Sequence, residues 1–162
     1  MELWIHELAN RLVTEVSRRM ANIQLKRTDA FPWEDLSGEH VVVYGLIQGD
    51  YELHVQLLTE FQLLDRLTSN MLGAKPAEDD VREYTLEYFN TICGRFISEI
   101  INQTHISEKL ISVQYEMPFQ SPILTSGEQV STAYFLSDRQ EPFVFSWTSM
   151  PISNMMRSEM NG

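Results

Sequence analysis

The sequence of 162 residues lacks several features that mark common classes of enzyme. Cys93 is its single cysteine, so an internal disulfide is excluded and a reducing compartment fits. Its four histidines show no metal-ligand spacing among themselves or with Cys93. It also contains neither a Gly-x-Ser-x-Gly elbow nor a glycine-rich phosphate loop. A hydrolase with its own metal ion or nucleophile is therefore not expected, and neither is a cofactor held by this chain.

Basic residues and long apolar runs are also scarce. Twelve lysines and arginines stand against 23 acidic residues, which gives a formal net charge of −11. Such an acidic chain does not suit the phosphate backbone of nucleic acid or an anionic membrane. Its basic cluster, at Arg18-Arg19 and Lys26-Arg27, lies near the end of the first predicted helix, where cations stabilise a helix C-terminus. The sequence shows neither a signal peptide nor a membrane-spanning run, so a cytoplasmic location is predicted.

Hydrophobic periodicity predicts helices and strands in a regular order. The predicted helices cover about Glu2–Met20, Glu60–Leu72 and Asp79–Gln103. The predicted strands cover about Ile23–Arg27, Val41–Ile47, Tyr51–Leu57, Ile111–Met117, Gln129–Leu136 and Phe143–Thr148. Each half of the chain is thus a helix followed by three strands, with one extra helix between the halves. We predict a two-layer α+β domain over residues 1–150, with long helices on a mainly antiparallel six-stranded sheet, and a loose tail over 151–162.

The third predicted helix carries the most informative side chains. Glu87, Asn90 and Gly94 are three and four residues apart, so they share one side of the helix. The opposite side holds an apolar stripe that is expected to face the core: Phe89, Ile92, Cys93, Phe96 and Ile100. Glu87 and Asn90 should therefore point outward from a well-anchored element, which suits side chains that reach into another protein. A glycine inside a helix indicates either close approach of a partner or packing against a neighbouring element, and Gly94 is open to both interpretations.

Three segments, in this order, resemble the CheC/CheX-type chemotaxis phosphatases. They are Gly45-Leu46-Ile47-Gln48-Gly49-Asp50, Asn70-Met71-Leu72-Gly73 and Glu87-x-x-Asn90-x-x-x-Gly94, with Pro118 matching a downstream proline of the family. The resemblance covers roughly Val41 to Pro118, and the flanking elements match by topology only. CheX is the closer subfamily, because only the central Glu-x-x-Asn copy has the complete motif.

The resemblance implies a phosphatase that acts on phosphorylated CheY-like response regulators. In that family the asparagine, here Asn90, enters the regulator's active site and orients the water that attacks the aspartyl phosphate in line. The glutamate, here Glu87, pairs with a lysine of the regulator. The Mg²⁺ belongs to the regulator, so no metal site is expected in this chain. A non-catalytic receiver-binding adaptor, or a flagellar-switch-like interaction domain of the same fold, is the alternative function, since fold alone does not decide between them.

Two positions depart from the family pattern. Arg95-Phe96 follow Gly94, where the family has small or polar residues. Glu83 stands one turn before Glu87, where the family has aspartate or serine. Glu83 lengthens the negative stripe, and we predict that Glu83 and Gly94 contact the partner.

The first helix carries another Glu-x-x-Asn pair, Glu7 and Asn10, at the position equivalent to Glu87 and Asn90. CheC proteins have two sites, so this pair is a candidate second site. It lacks the glycine, however, because Thr14 occupies the equivalent place. An isolated short motif also arises by chance, so a structural role is favoured.

CheX-like members form homodimers, and the resemblance implies a symmetric dimer whose interface avoids the Glu87/Asn90 face. The strands Tyr51–Leu57 and Ile111–Met117 are expected to offer backbone groups for pairing across the two-fold axis. The uncharged run Pro142–Met156 is expected to add apolar area to the interface or to the core.

Overall fold

The computed structural model describes residues 3–32, 39–105, 107–117, 124 and 130–151. Within these residues, three helices and six strands follow one another in the predicted order. They are α1 (Leu3–Ala21), β1 (Leu25–Arg27), β2 (His40–Gly49), β3 (Tyr51–Glu60), α2 (Phe61–Leu72), α3 (Glu78–Thr104), β4 (Glu108–Glu116), β5 (Ser131–Ser137) and β6 (Pro142–Pro151). Pro118 and the tail from 152 onward lie outside the described residues, so their predictions stay untested.

The strands form one antiparallel sheet in the order β1-β5-β6-β3-β2-β4. If β1, β2 and β3 exchange places with β4, β5 and β6, the result is the same strand order read from the opposite edge of the sheet. The two α-β-β-β halves are therefore related by a pseudo-two-fold axis that passes between the central strands β3 and β6. The predicted α+β fold, with duplicated halves, is confirmed.

The helices pack on one face of this sheet and enclose the main core. Phe143, Phe145 and Trp147 of β6 are fully buried there, so these aromatic residues of the uncharged run belong to the core. The sheet edges are β1 and β4. The prediction that Tyr51–Leu57 offers backbone groups to a partner is wrong, because β3 is hydrogen-bonded to β2 on one side and to β6 on the other.

Strand β4 carries a β-bulge between its pairings with Leu46 and Ile47 of β2. The extra residue shifts the alternation of side chains, so Leu110 packs against the core while Ile111 is 52% exposed. One inserted residue thus changes which face of the sheet each side chain occupies.

Two glycines of β2 are required by close packing. A Cβ atom on Gly45 would lie 2.8 Å from the ring of Phe89, so the glycine lets α3 rest directly on the sheet. A Cβ on Gly49 would lie 1.8 Å from the carbonyl oxygen of Ser107, where the α3–β4 connection crosses the β2–β3 turn. These two positions seat α3 and fix the chain that follows it.

The Asn-Met-Leu-Gly segment ends α2 and ties it to α1. Asn70 donates a hydrogen bond of 2.7 Å from its side-chain amide to the carbonyl oxygen of Ala21, at the end of α1. Gly73 adopts the left-handed conformation, with φ of 78°, and its N–H donates to the carbonyl of Ser69. Glycine is favoured there because it has no Cβ to oppose a positive φ. This segment therefore has a structural explanation within the chain itself.

Candidate functional site

Helix α3 is anchored along its whole length by its buried side. The buried residues are Val81, Thr85, Tyr88, Phe89, Ile92, Cys93, Phe96 and Ile100, which confirms the predicted apolar stripe. Acidic residues occupy its first turn, where the helix dipole favours them, and Asp80 accepts a hydrogen bond of 2.9 Å from the N–H of Ala77. Burial raises the pKa of the Cys93 thiol to about 12, so Cys93 is an inert hydrophobic residue and no nucleophile.

The opposite side of α3 presents the predicted pair to solvent. Glu83, Glu87, Asn90 and Gly94 are all exposed and form one stripe along the helix. Among the described residues, the side chains of Glu87 and Asn90 have neither a hydrogen bond nor an ion pair. An exposed carboxylate and carboxamide without partners, on a rigid element, are free to bind groups of another molecule.

The surroundings of Gly94 bear on one of its two interpretations. A Cβ atom added at this position would meet no atom of the described residues within 4 Å. Packing against a described element of this chain therefore does not explain the glycine. A helical glycine is less favourable than alanine by about 1 kcal/mol. Close approach of a partner stays a prediction.

Tyr88 joins α3 to α1 directly beneath Glu87. Its hydroxyl lies 2.5 Å from the hydroxyl of Ser17, which in turn donates a bond of 2.6 Å to the carbonyl of Val13. Because the Ser17 hydrogen goes to Val13, Tyr88 is the donor to Ser17. Burial raises the pKa of the Tyr88 phenol, which keeps that donor protonated. Sequence reasoning missed this pair, because its two residues are 71 positions apart in the sequence.

Arg95 and Glu15 form a second link between the two helices. Nη2 of Arg95 lies 3.1 Å from Oε2 of Glu15, and the hydrogen bond lowers the pKa of the Glu15 carboxyl. Phe96 is buried in the core. Of these two departures from the family pattern, Arg95 thus links α3 to α1, and Phe96 packs against Phe145 and Trp147 of β6.

The pair Glu7 and Asn10 on α1 differs from the α3 pair in both position and partners. Oδ1 of Asn10 accepts a hydrogen bond of 2.5 Å from Arg27 of the edge strand β1. Glu7 lines a shallow cavity of about 310 Å³ together with Gln103, near the end of α3. Gln103 is 16 residues beyond Glu87, which is about 24 Å along a helix. The two Glu-x-x-Asn pairs therefore lie far apart in the structure. The carboxamide of the α1 pair is already hydrogen-bonded to Arg27.

Within the described part of the chain, no comparable cation binds Asn90. The edge strand equivalent to β1 is β4, and its helix-facing side chains are apolar or phenolic: Leu110, Val113 and Tyr115. Within the described ranges, no three His, Cys, Asp or Glu side chains form a group that could hold a metal ion. Among the same residues, no helix combines the length and apolar character that crossing a bilayer demands.

Solved structures share this architecture. No family model matches the sequence, and a search of the curated proteins finds no match. CheX from Desulfovibrio desulfuricans superposes with a TM-score of 0.73 and 17% identity, over 91% of this chain and 100% of CheX. The chain has the CheC-like fold. The resemblance seen in the sequence is therefore confirmed at the level of the fold.

Two further structures show what else carries the CheC-like fold. A CheX–CheY complex from Borrelia burgdorferi, which contains BeF₃ and Mg, matches with a TM-score of 0.68 and 15% identity, over 88% of this chain and 96% of that one. The FliM middle domain from Vibrio alginolyticus matches with a TM-score of 0.55 and 12% identity, over 92% of both chains. At these identities the likeness concerns the fold, and function has to be inferred from the site.

Proposed function

We propose that this chain accelerates the dephosphorylation of CheY-like response regulators that carry an aspartyl phosphate. The observation that carries the proposal is the exposed, unpartnered pair Glu87 and Asn90 on a firmly seated helix, beside a glycine with open space around it. The CheX–CheY complex supports a receiver domain as the partner, since that CheX shares the fold of this chain.

Asn90 supplies the chemistry. Its carboxamide has both a donor and an acceptor, so it can hold one water molecule in a fixed orientation. The water attacks the phosphorus of the aspartyl phosphate in line, the bond between phosphorus and the carboxylate oxygen breaks, and inorganic phosphate leaves. The aspartate is regenerated as a carboxylate. Phosphoryl transfer requires mainly positioning and electrostatic stabilisation, which one amide on a rigid helix can improve.

Glu87 supplies docking specificity through a lysine of the receiver domain. A carboxylate facing an ammonium group favours one partner orientation. Glu83 extends the negative stripe by one turn and contributes to the choice of partner. Mg²⁺ is bound by the receiver domain, which agrees with a chain that brings only an amide and carboxylates to this surface.

The direct test compares phosphate loss from several phosphorylated receiver domains with and without this chain. We expect Asn90→Ala to abolish the acceleration without lowering the melting temperature, because the side chain is exposed. The matched control is Asn102→Ala, which removes an exposed carboxamide from the same helix, three turns away. Acceleration by Asn90→Ala equal to that of the unmodified chain would refute the catalytic role.

A non-catalytic adaptor or flagellar-switch-like domain is the second candidate. The FliM middle domain favours it, because that domain has the same fold. The two functions separate cleanly by experiment. An adaptor binds a receiver domain loaded with Mg²⁺ and beryllofluoride but leaves the rate of phosphate loss unchanged.

We also propose that the chain is a symmetric homodimer in the cytoplasm. Edge strand β4 has one side unpaired in the sheet and exposes Ile111, so it offers backbone groups and an apolar anchor to a second copy. The interface would leave Glu87 and Asn90 accessible. Light scattering should give about twice the chain mass of 18.8 kDa, and a monomer at micromolar concentration would contradict this proposal.

A further inference from the structure

The reactive pair depends on α3 for its position. Glu87 and Asn90 have no side-chain partners among the described residues, so nothing else in that part of the chain steers them. A side-chain end roughly 6 Å from a helix axis moves about 1 Å when the helix rotates by about 10°. A misplacement of that size can cost about 100-fold in rate. Whatever fixes the rotation of α3 therefore bears on the reaction.

Two kinds of contact hold α3 in its rotation. Phe89, Ile92 and Phe96 pack it against the sheet, and close packing of these side chains limits how far the helix can turn. A hydrogen bond adds a directional restraint, because it weakens when donor and acceptor are misaligned. The polar links between α3 and α1 add this restraint to the packing.

The Tyr88–Ser17 hydrogen bond is the first of these links. Both residues are fully buried, with 0% of their surface exposed. If α3 rotated away from α1, the Tyr88 hydroxyl would be left buried without a partner, which is more unfavourable than an ordinary lost bond. The bond sits one residue after Glu87 and two before Asn90.

The Arg95–Glu15 pair is the second link. It lies seven residues beyond Tyr88, which is about 10 Å along the helix. Asn90 and Gly94 fall between the two links. The helix is thus linked to the same neighbouring helix within the Glu87–Asn90 turn and again five residues after Asn90.

We propose that Tyr88 and Ser17 are positioning residues for the phosphatase reaction, and that with Arg95 and Glu15 they fix where Asn90 places the attacking water. This inference rests on the proposed function. Tyr88 and Ser17 are buried, so they act through α3 and touch neither the receiver domain nor the water.

The test uses Tyr88→Phe in the full chain, which keeps the buried ring and removes only the hydroxyl. We expect kcat to fall about tenfold or more per folded molecule. The Kd for a receiver domain loaded with Mg²⁺ and beryllofluoride should change less than about twofold, because the docking surface is unaltered. The matched control is Tyr115→Phe, which removes a buried hydroxyl that has no partner among the described residues, and it should leave both quantities unchanged.

A second variant set keeps the test sharp if Tyr88→Phe folds poorly. Arg95→Glu should lower kcat, and the exchange Glu15→Arg/Arg95→Glu should recover most of it. A normal kcat for folded Tyr88→Phe, or equal losses of kcat and affinity, would overturn the positioning role, as would failure of the exchange to recover activity. If the unmodified chain gives no acceleration at all, the proposed function fails first, and the positioning role fails with it.

Discussion

Replacing Gly94 by alanine should stabilise the protein and impair its function at the same time. The position is exposed within a helix, and a Cβ atom there meets nothing within 4 Å. Alanine in place of glycine inside a helix is more favourable by about 0.5–1 kcal/mol. For a domain of this size, that gain corresponds to a rise of roughly 1–4 °C in melting temperature.

The functional loss follows from the same open space. If a receiver domain approaches the backbone at Gly94, an added methyl group overpacks the interface. Overpacking of a well-packed contact costs about 1–3 kcal/mol. That penalty weakens binding roughly 5- to 150-fold. The assay is a titration with a receiver domain that carries Mg²⁺ and beryllofluoride, beside a thermal melt of the free chain.

Gly45→Ala is the control, because it separates an open glycine from a packed one. Its Cβ would lie 2.8 Å from the Phe89 ring, so this variant should melt at a lower temperature. A lower melting temperature for Gly94→Ala would show that the open-surface description is wrong. A higher melting temperature with unchanged receiver binding would show that no partner approaches this turn of α3.

Three further substitutions test the site and its surroundings. Glu87→Lys should weaken receiver binding markedly in the same titration, since it places like charges opposite each other; unchanged affinity would remove α3 from the contact surface. Asn10→Ala should leave the rate of phosphate loss unchanged, because Arg27 already occupies that carboxamide; a slower rate would establish a second site. Burial and the nearby charge of Asp50 raise the pKa of Glu108, so the ionised form destabilises the fold and stability rises as pH falls through that raised pKa. Glu108→Gln should therefore raise the melting temperature at pH 7 by an amount that shrinks toward acidic pH, and a pH-independent gain would contradict this assignment.

Local sequence patterns predicted the helices, the strands and the exposed face of α3, because these features depend on residues that are close together in the sequence. The period of the apolar residues in α3 was enough to place Phe89 inside and Asn90 outside. Glycine and proline signals placed the end of α2 at Leu72, where the structure ends it.

Contacts between distant residues were beyond the reach of those patterns. The bulge at Ile111 and the central place of β3 depend on which strands pair, and pairing joins residues far apart in sequence. The bond from Tyr88 to Ser17 likewise forms only when the two halves come together, and the bond from Arg27 to Asn10 forms only when β1 packs beside α1. The type and spacing of a residue in the sequence indicate which chemistry its side chain can perform. The folded structure determines whether that side chain is already hydrogen-bonded within the chain.

The two halves of the fold differ in charge at one pair of equivalent positions, which are Glu15 on α1 and Arg95 on α3. Glu15 and Arg95 are as far apart in sequence as Glu7 and Glu87, so they occupy equivalent places on α1 and α3. They also touch each other, which puts them at the pseudo-two-fold axis, where identical halves would bring two like charges together. Divergence to one glutamate and one arginine turns that repulsion into a link between the helices.

The same divergence separates the two asparagines. The carboxamide of Asn10 is bound by Arg27, a residue of the edge strand β1. The other edge strand is β4, and its residues that face the helices offer Asn90 no such cation. The carboxamide of Asn10 is therefore occupied within the chain, while that of Asn90 has no partner among the described residues. The Asn10→Ala and Asn90→Ala variants should accordingly behave as opposites, with activity retained in the first and lost in the second.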